Sequence, residues 1–292
     1  MATDRLPAAL TLLAPGMALV GLFVLVPIAG GIGLSLHEFD GLTLGPWTGL
    51  DNYRAVLADP GFRSALLHTL VFAALVVIGK NAAGLALAAL VSLKLRGMRA
   101  LRTILFMPVA LNIVVIGAFW TFFLQARRFG GLLNELLERT GLGVLQTSWL
   151  SQPGTALGSV AGIEIWRWAG LHMLIFLAGM QAIDPALYDA AILDGAGPWQ
   201  RFRHVTLPGL APVIAVSTLL ALMGAFVRSF DVVWVLTRAG FGTDVVATHL
   251  YQEAFQFGRF GRAAAMGYLL FIIIALISAL YLVWQRRSGQ DA

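Results

Sequence analysis

Six stretches of mainly apolar residues, each long enough to cross a bilayer, dominate the chain. They lie at about 9–36, 66–93, 103–125, 158–183, 209–236 and 263–285. A spanning helix needs about 20 such residues, and lipid forces each backbone to satisfy its own hydrogen bonds. The chain is 59% hydrophobic and only 12% charged. Soluble domains average about 25% charged residues, so too little polar surface remains for a water-facing fold. The expected class is therefore all-α: a polytopic membrane protein with six transmembrane helices in one domain over 1–292. No internal repeat or low-complexity tract divides it.

The first stretch follows only Asp4 and Arg5 and stays uncharged from Leu6 to Leu36. It is about twice the length of a signal-peptide core, which suggests a retained helix. Pro7, Pro15 and Pro27 are expected to kink it. The third and sixth stretches are also uncharged. The second carries Lys80, the fourth Glu164 and Arg167, and the fifth Arg228 and Asp231. The flanking Lys and Arg favour a cytoplasmic N-terminus and C-terminus by nine residues to eight, helped by the dense "KLRGMRALR" at 94–102. That topology places loops 37–65, 126–157 and 237–262 outside and residues 184–208 inside.

The net charge of +5 is too small to suggest nucleic acid, and ordinary inner-face arginines account for it. No cysteine is present, which excludes disulfides and thiol catalysis. Gly79-Lys80 is followed by Asn81 and lacks the glycine turn of a nucleotide-binding loop. The five histidines, at 37, 68, 172, 204 and 249, are scattered, so neither a metal site nor an enzyme activity is expected.

One polar segment, "YDAAILDGAGPWQRFRHVTLPG" at 188–209, interrupts this apolar pattern. Asp184 is a plausible N-cap ahead of Pro185 at the first helical position. Ala190 and Ala191 allow close approach to another surface. Gly195, Gly197 and Pro198 break the helix, and a second short amphipathic piece runs from Trp199 to Val205. The product is a helix–turn–helix with an apolar knob and a basic flank. Physics alone leaves two uses open: docking another protein, or lying on the lipid surface.

The same residues resemble the EAA loop of binding-protein-dependent ABC importer permeases. Ala190, Ala191, Gly195, Leu207 and Pro208 fit that pattern; Asp189 stands where the family usually has Glu, and "LDGA" at 193–196 is typical of the carbohydrate, maltose-type branch. "GLDNYRAVLADPGFRSALLHTL" (49–70), "RALRTILFMPVALNIVVIGAFW" (99–120), "SFDVVWVLTRAG" (229–240) and "ATHLYQEAFQFGRFGRAAAMG" (247–267) extend the resemblance along nearly the whole chain. "TRAGFG" at 237–242 departs from the usual Thr-x-Gly-Gly-Pro. The resemblance implies a six-helix permease in a prokaryotic plasma (inner) membrane. It implies as partners a second homologous permease, an ABC ATPase dimer holding ATP and Mg, an extracytoplasmic solute-binding protein, a sugar and membrane lipid. It also implies that 184–208 is the cytoplasmic coupling helix between helices 4 and 5, with Asp189, Ala190, Ala191, Asp194, Gly195, Ala196, Phe202 and Pro208 at the ATPase contact.

Ionisable groups at bilayer depth mark pathways or internal pairs. Glu164, Trp168 and Leu171/His172 share one helix face, and Arg228, Ser229 and Asp231 cluster near the outer half of the fifth stretch. Matching to maltose-type relatives implies solute contact at Glu164, Trp168, Leu171, Phe226 and Ser229. Lys80 and Asn112 are weaker candidates, and Lys80 suits a helix–helix contact equally well. The competing use is internal pairing of Glu164 with Arg167 and of Arg228 with Asp231. A charged solute, such as glycerol phosphate or a polyamine, is a second reading, and Arg167 and Arg228 keep an anion open. An ion-driven secondary transporter with Glu164 or Asp231 as proton site is a third reading, but it has no use for the EAA loop.

Overall fold

The computed structural model describes residues 5–93, 97–126 and 130–288, with side chains for 13–93, 97–126 and 130–285. Asp4, Lys94, Arg96, Arg127 and Arg128, and the side chains of Arg5, Arg286 and Arg287, lie outside the described residues. The contacts gather into two compact units, 1–63 with 249–273, and 64–248 with 274–292.

In the first unit, helix α1 (Arg5–Val20) passes through a five-residue π-turn, Gly21–Leu25, into α2 (Val26–Ser35). The turn stands just before Pro27. Proline has no N–H, and its ring crowds the carbonyl four residues back; the wider turn absorbs both defects without ending the helix. Large apolar side chains from Leu13 to Ile32 point outward, as a lipid-facing helix requires. A short antiparallel hairpin follows, β1 (His37–Phe39) with β2 (Leu44–Trp47), in a segment read from sequence only as an outer loop. Asp40 shapes its turn by accepting from the Leu42 and Thr43 N–H groups and the Thr43 hydroxyl, at 2.9, 2.7 and 2.7 Å. These bonds, led by the Thr43 N–H, hold its carboxyl at about 2. Helix α3 (Asp51–Ala58) supplies Asn52, whose amide donates to the carbonyls of Ser35 and His37, both at 2.9 Å.

In the second unit the long helices are α4 (Pro60–Ser92, from Ser64 onward), α8 (Ala156–Ala182) and α12 (Ala211–Val227). The third apolar stretch is not one helix, as the sequence suggested. It breaks into α5 (Met98–Ala110) and α6 (Ile113–Phe123), bent by 101°. Pro108 weakens the end of α5, Leu111 is extended, and the Asn112 side chain accepts from the Val114 N–H at 2.8 Å to start α6. Asn112 is thus a helix cap. The fifth stretch also divides, at Arg228, into α12 and α13 (Ser229–Thr237). Between α6 and α8, α7 (Leu132–Arg139) and the following turn are held by buried Asn134. Its amide donates to Gln125 and Thr147 carbonyls at 3.0 and 2.9 Å, and its oxygen accepts from Trp149 Nε1 at 2.9 Å. Among the described residues, four helices are long and apolar enough to cross a membrane, and up to six spans result if each bent pair is one span.

Glycines set how closely these helices meet. A Cβ on Gly170 of α8 would sit 2.2 Å from the Leu105 carbonyl oxygen of α5, and one on Gly84 of α4 would sit 2.9 Å from the His172 backbone. Neither neighbour can rotate away. Gly170→Ala should therefore force α5 and α8 apart and destabilise the protein by about 1–3 kcal/mol, the usual range for overpacking. A fall in the melting temperature of the detergent-purified protein is the expected result. An unchanged melting curve would show that the α5–α8 spacing is not fixed by backbone contact.

Beyond α13 the chain enters the left-handed region at Arg238, Ala239, Phe241 and Gly242, with φ of 52, 62, 57 and 74°. The family pattern would put proline at 241, and a proline, fixed near −65°, cannot take that φ. The Thr237 and Thr243 hydroxyls close the loop with a 2.6 Å hydrogen bond. Helices α14 (Val246–Tyr251) and α15 (Phe260–Ser288) complete the chain.

Candidate solute path and loop 184–208

Both candidate sites fall in the second unit. At membrane depth, Lys80 Nζ of α4 donates to Glu164 Oε1 of α8 at 2.8 Å, with both side chains about 2% exposed. Glu164 is therefore paired across two helices, not with Arg167 one turn away. Gly79, whose Cβ would meet Ile165 of α8 at 2.3 Å, brings the lysine close enough to reach. Glu164 Oε2 is buried and makes no hydrogen bond.

One turn along α8, the Trp168 ring gathers the remaining charge. Arg228 Cζ lies 4.4 Å from its centroid, Arg167 Cζ 5.4 Å and Lys80 Nζ 5.5 Å. Cations over an indole face are attracted by its quadrupole, by about 0.5–2 kcal/mol depending on desolvation. Arg228 and Asp231 are exposed and form no ion pair with each other. Leu171 is half-buried. His172 is buried and shares a 2.7 Å hydrogen bond with Ser217 Oγ. Phe226 and Ser229 are each 1% exposed, and Ser229 Oγ donates to the Phe226 carbonyl at 3.1 Å. The structure thus brings Glu164, Trp168 and Arg228 together and adds Lys80 and Arg167. It keeps His172, Phe226 and Ser229 in the interior of the chain. Lys80 thus makes the helix–helix contact that the sequence allowed for it; nothing in its neighbourhood names Glu164, 84 residues away, as the partner.

The loop at 184–208 follows its sequence closely. The Asp184 side chain accepts from the Ala186 N–H at 2.9 Å and Pro185 opens α9 (Pro185–Leu193). At the other end, Ala196 N–H donates to Ala191 O at 2.9 Å and Gly195 N–H to Ile192 O at 3.0 Å. This pair of bonds is a Schellman ending, which needs a left-handed residue; Gly195 supplies it at φ 79°. Helix α10 (Pro198–Arg201) then starts, with the Gln200 side chain accepting from Gly197 N–H at 2.7 Å. A second π-turn, Phe202–Thr206, precedes Pro208 as the first preceded Pro27, and a short helical turn α11 (Leu207–Gly209) leads into α12.

Tyr188 and Thr206 hydroxyls join the two legs of the loop at 3.0 Å. The residues flanking it, Ile183 and Leu210, pack in the core made with Val91, Met173, Phe176 and Leu177. Leu193 is 88% exposed and Trp199 69%, with the Trp199 ring stacked on Phe202 at 5.6 Å. Asp189, Ala190, Asp194, Gly195 and Pro208 are exposed; Ala191, Ala196 and Phe202 are half-buried. A rigid, capped turn thus presents apolar groups and small residues to its surroundings.

Residues 80–291 match the family described as the binding-protein-dependent transport system inner membrane component. A probable ABC transporter permease protein of Pyrococcus horikoshii is 33% identical over 288 residues, covering 98% of each chain. The trehalose/maltose transport system permease MalF of Thermococcus litoralis is 31% identical over 270 residues, covering 92% of this chain and 90% of that protein. A solved bacterial ABC transporter for import of the acidic polysaccharide alginate superimposes with a TM-score of 0.83 at 27% identity, over 98% of this chain and 96% of that one. The chain accordingly belongs to the inner-membrane permeases of binding-protein-dependent ABC transporters.

Proposed function

We propose that this chain is one permease subunit of an ATP-driven sugar importer, working by alternating access. It pairs with a second, homologous permease. Two separate ATPase subunits, carrying ATP and Mg, bind the cytoplasmic face, and an extracytoplasmic binding protein delivers the solute. Six spans put both termini in the cytoplasm, counting each of the two bent pairs, α5–α6 and 198–209 with α12, as one. The loop at 184–208 is the coupling helix, with Asp189, Ala190, Ala191, Asp194, Gly195, Ala196, Phe202 and Pro208 against the ATPase. ATP-driven closure of the ATPase dimer moves that loop as a unit, and the helices continuous with it switch the cavity from one face to the other.

One observation carries this reading: a loop with Leu193 and Trp199 exposed yet both ends rigidly capped. Such a knob transmits force; a lipid-surface hairpin has no need of the fixed turn at Gly195. The names of the relatives, which include a trehalose/maltose permease and an alginate importer, support a saccharide as cargo. The test is reconstitution of the permease pair with its ATPase in proteoliposomes. Saccharide uptake should require ATP on the ATPase side and the binding protein outside, and should persist when a protonophore collapses the proton gradient. Uptake driven by a proton gradient without ATP would return the secondary-transporter reading.

A further inference from the structure

We infer that the solute is an anionic saccharide, a uronate-bearing oligosaccharide, read by Arg167 and Arg228 beside the Trp168 ring. This rests on the sugar-permease reading and names its substrate class. Three cationic groups surround that ring, and one carboxylate answers them. Glu164 is taken by Lys80 at 2.8 Å. Among the described residues no carboxylate lies within ion-pairing distance of Arg167 or Arg228. Arg167 Nε is buried without a hydrogen-bond partner, and so is Trp168 Nε1.

Unpaired guanidinium groups at bilayer depth are costly, and they persist where they line a polar path or meet a counter-charge. A neutral sugar supplies no counter-charge. Its hydroxyls would be served as well by amides and hydroxyls, without two cations repelling each other across one ring. A carboxylated sugar supplies it. The guanidinium is a planar fork whose N–H edge matches a carboxylate bidentately. At 4.4 Å over the indole, Arg228 is held by the ring while remaining exposed on the surface of its unit. That position also covers the ring face on which a neutral sugar would stack. The Lys80–Glu164 pair anchors α4 to α8 and so fixes where Trp168 stands; it positions the arginines and is not itself the reader.

The test uses the complete importer in proteoliposomes with its binding protein. Uptake is compared for galacturonate, mannuronate and guluronate oligosaccharides of two to five units, for neutral maltooligosaccharides of the same lengths, and for glycerol 3-phosphate. Uronate oligosaccharides should be carried and the neutral ones not. Arg167→Gln and Arg228→Gln should each lower uronate uptake roughly 10–100-fold, the range for losing a charge-assisted hydrogen bond, and Arg228→Lys should keep part of it. Neutral oligosaccharide uptake that both glutamine variants leave unchanged would overturn the inference and leave the sugar-permease reading standing. Dissociation of the permease pair in the glutamine variants, seen by size exclusion, would overturn it too, because the arginines would then answer carboxylates of the second permease. Carriage of glycerol 3-phosphate alone would remove the sugar-permease reading along with it, and carriage of none of these solutes would overturn the inference while leaving that reading standing.

Discussion

Glu164→Ala should leave little permease in the membrane. The substitution strands Lys80, 2% exposed, inside the protein with no counter-charge. Breaking a buried ion pair by removing one partner costs about 3–5 kcal/mol, whereas replacing both by apolar groups of similar volume is often neutral or stabilising. Total folding stabilities run about 5–15 kcal/mol, so the single loss is large. Lys80→Met should fail in the same way by stranding Glu164. The double variant Lys80→Met/Glu164→Leu should recover the membrane-fraction level and melting temperature. Normal accumulation and melting of Glu164→Ala would show that the pair does not hold α4 to α8. The double variant also bears on the proton-site reading: ATP-driven uptake by a chain with no carboxylate at 164 leaves no role for a titrating Glu164.

That pair marks the limit of what the sequence discloses. The apolar spans are legible because lipid imposes their length. The helix–turn–helix at 184–208 is legible because caps are local: Asp184 bonds two residues away, and Gly195 sets its own φ. Lys80 and Glu164 are each visible as charges out of place, but their bond is a tertiary fact. Sequence offered Arg167 as the partner because a single helix reveals only its own i, i+3 and i, i+4 neighbours. The broken third span was hidden for a different reason. Bilayer helices tolerate proline, so Pro108 did not compel a break; it took Asn112 acting as a cap, with Leu111 extended before it, to turn the chain by 101°. Buried Asn134, which ties the turn after α7 to Gln125, Thr147 and Trp149, carries no sequence signature beyond being an asparagine among leucines.

Gly195→Asp should uncouple the transporter while leaving the permease pair in the membrane. The chain itself gives the new side chain room: a Cβ at 195 meets no atom within 4 Å. The backbone cost is also bounded. A non-glycine residue in the left-handed region costs about 1–2 kcal/mol, and aspartate tolerates it better than most. A substitution this mild within its own subunit can abolish transport only through whatever packs on the loop. If an ATPase packs there as proposed, the added carboxylate enters a contact with exposed Leu193 and Trp199 and small Ala190 and Ala196. Burying a charge there without a partner is costly. Uptake should fall by at least about tenfold, the equivalent of about 1.4 kcal/mol. The ATPase should either be lost on purification or hydrolyse ATP without moving solute. Asp189→Ala should act in the same direction and more weakly, since it removes one polar contact and adds no charge. Gly195→Ala separates backbone strain from surface contact, because it keeps the strain and omits the carboxylate. If alanine and aspartate are equally damaging, strain in the turn is the cause. If Gly195→Asp transports like the native protein, the loop is not the coupling element, and a hairpin resting on lipid accounts better for its exposed leucine and tryptophan.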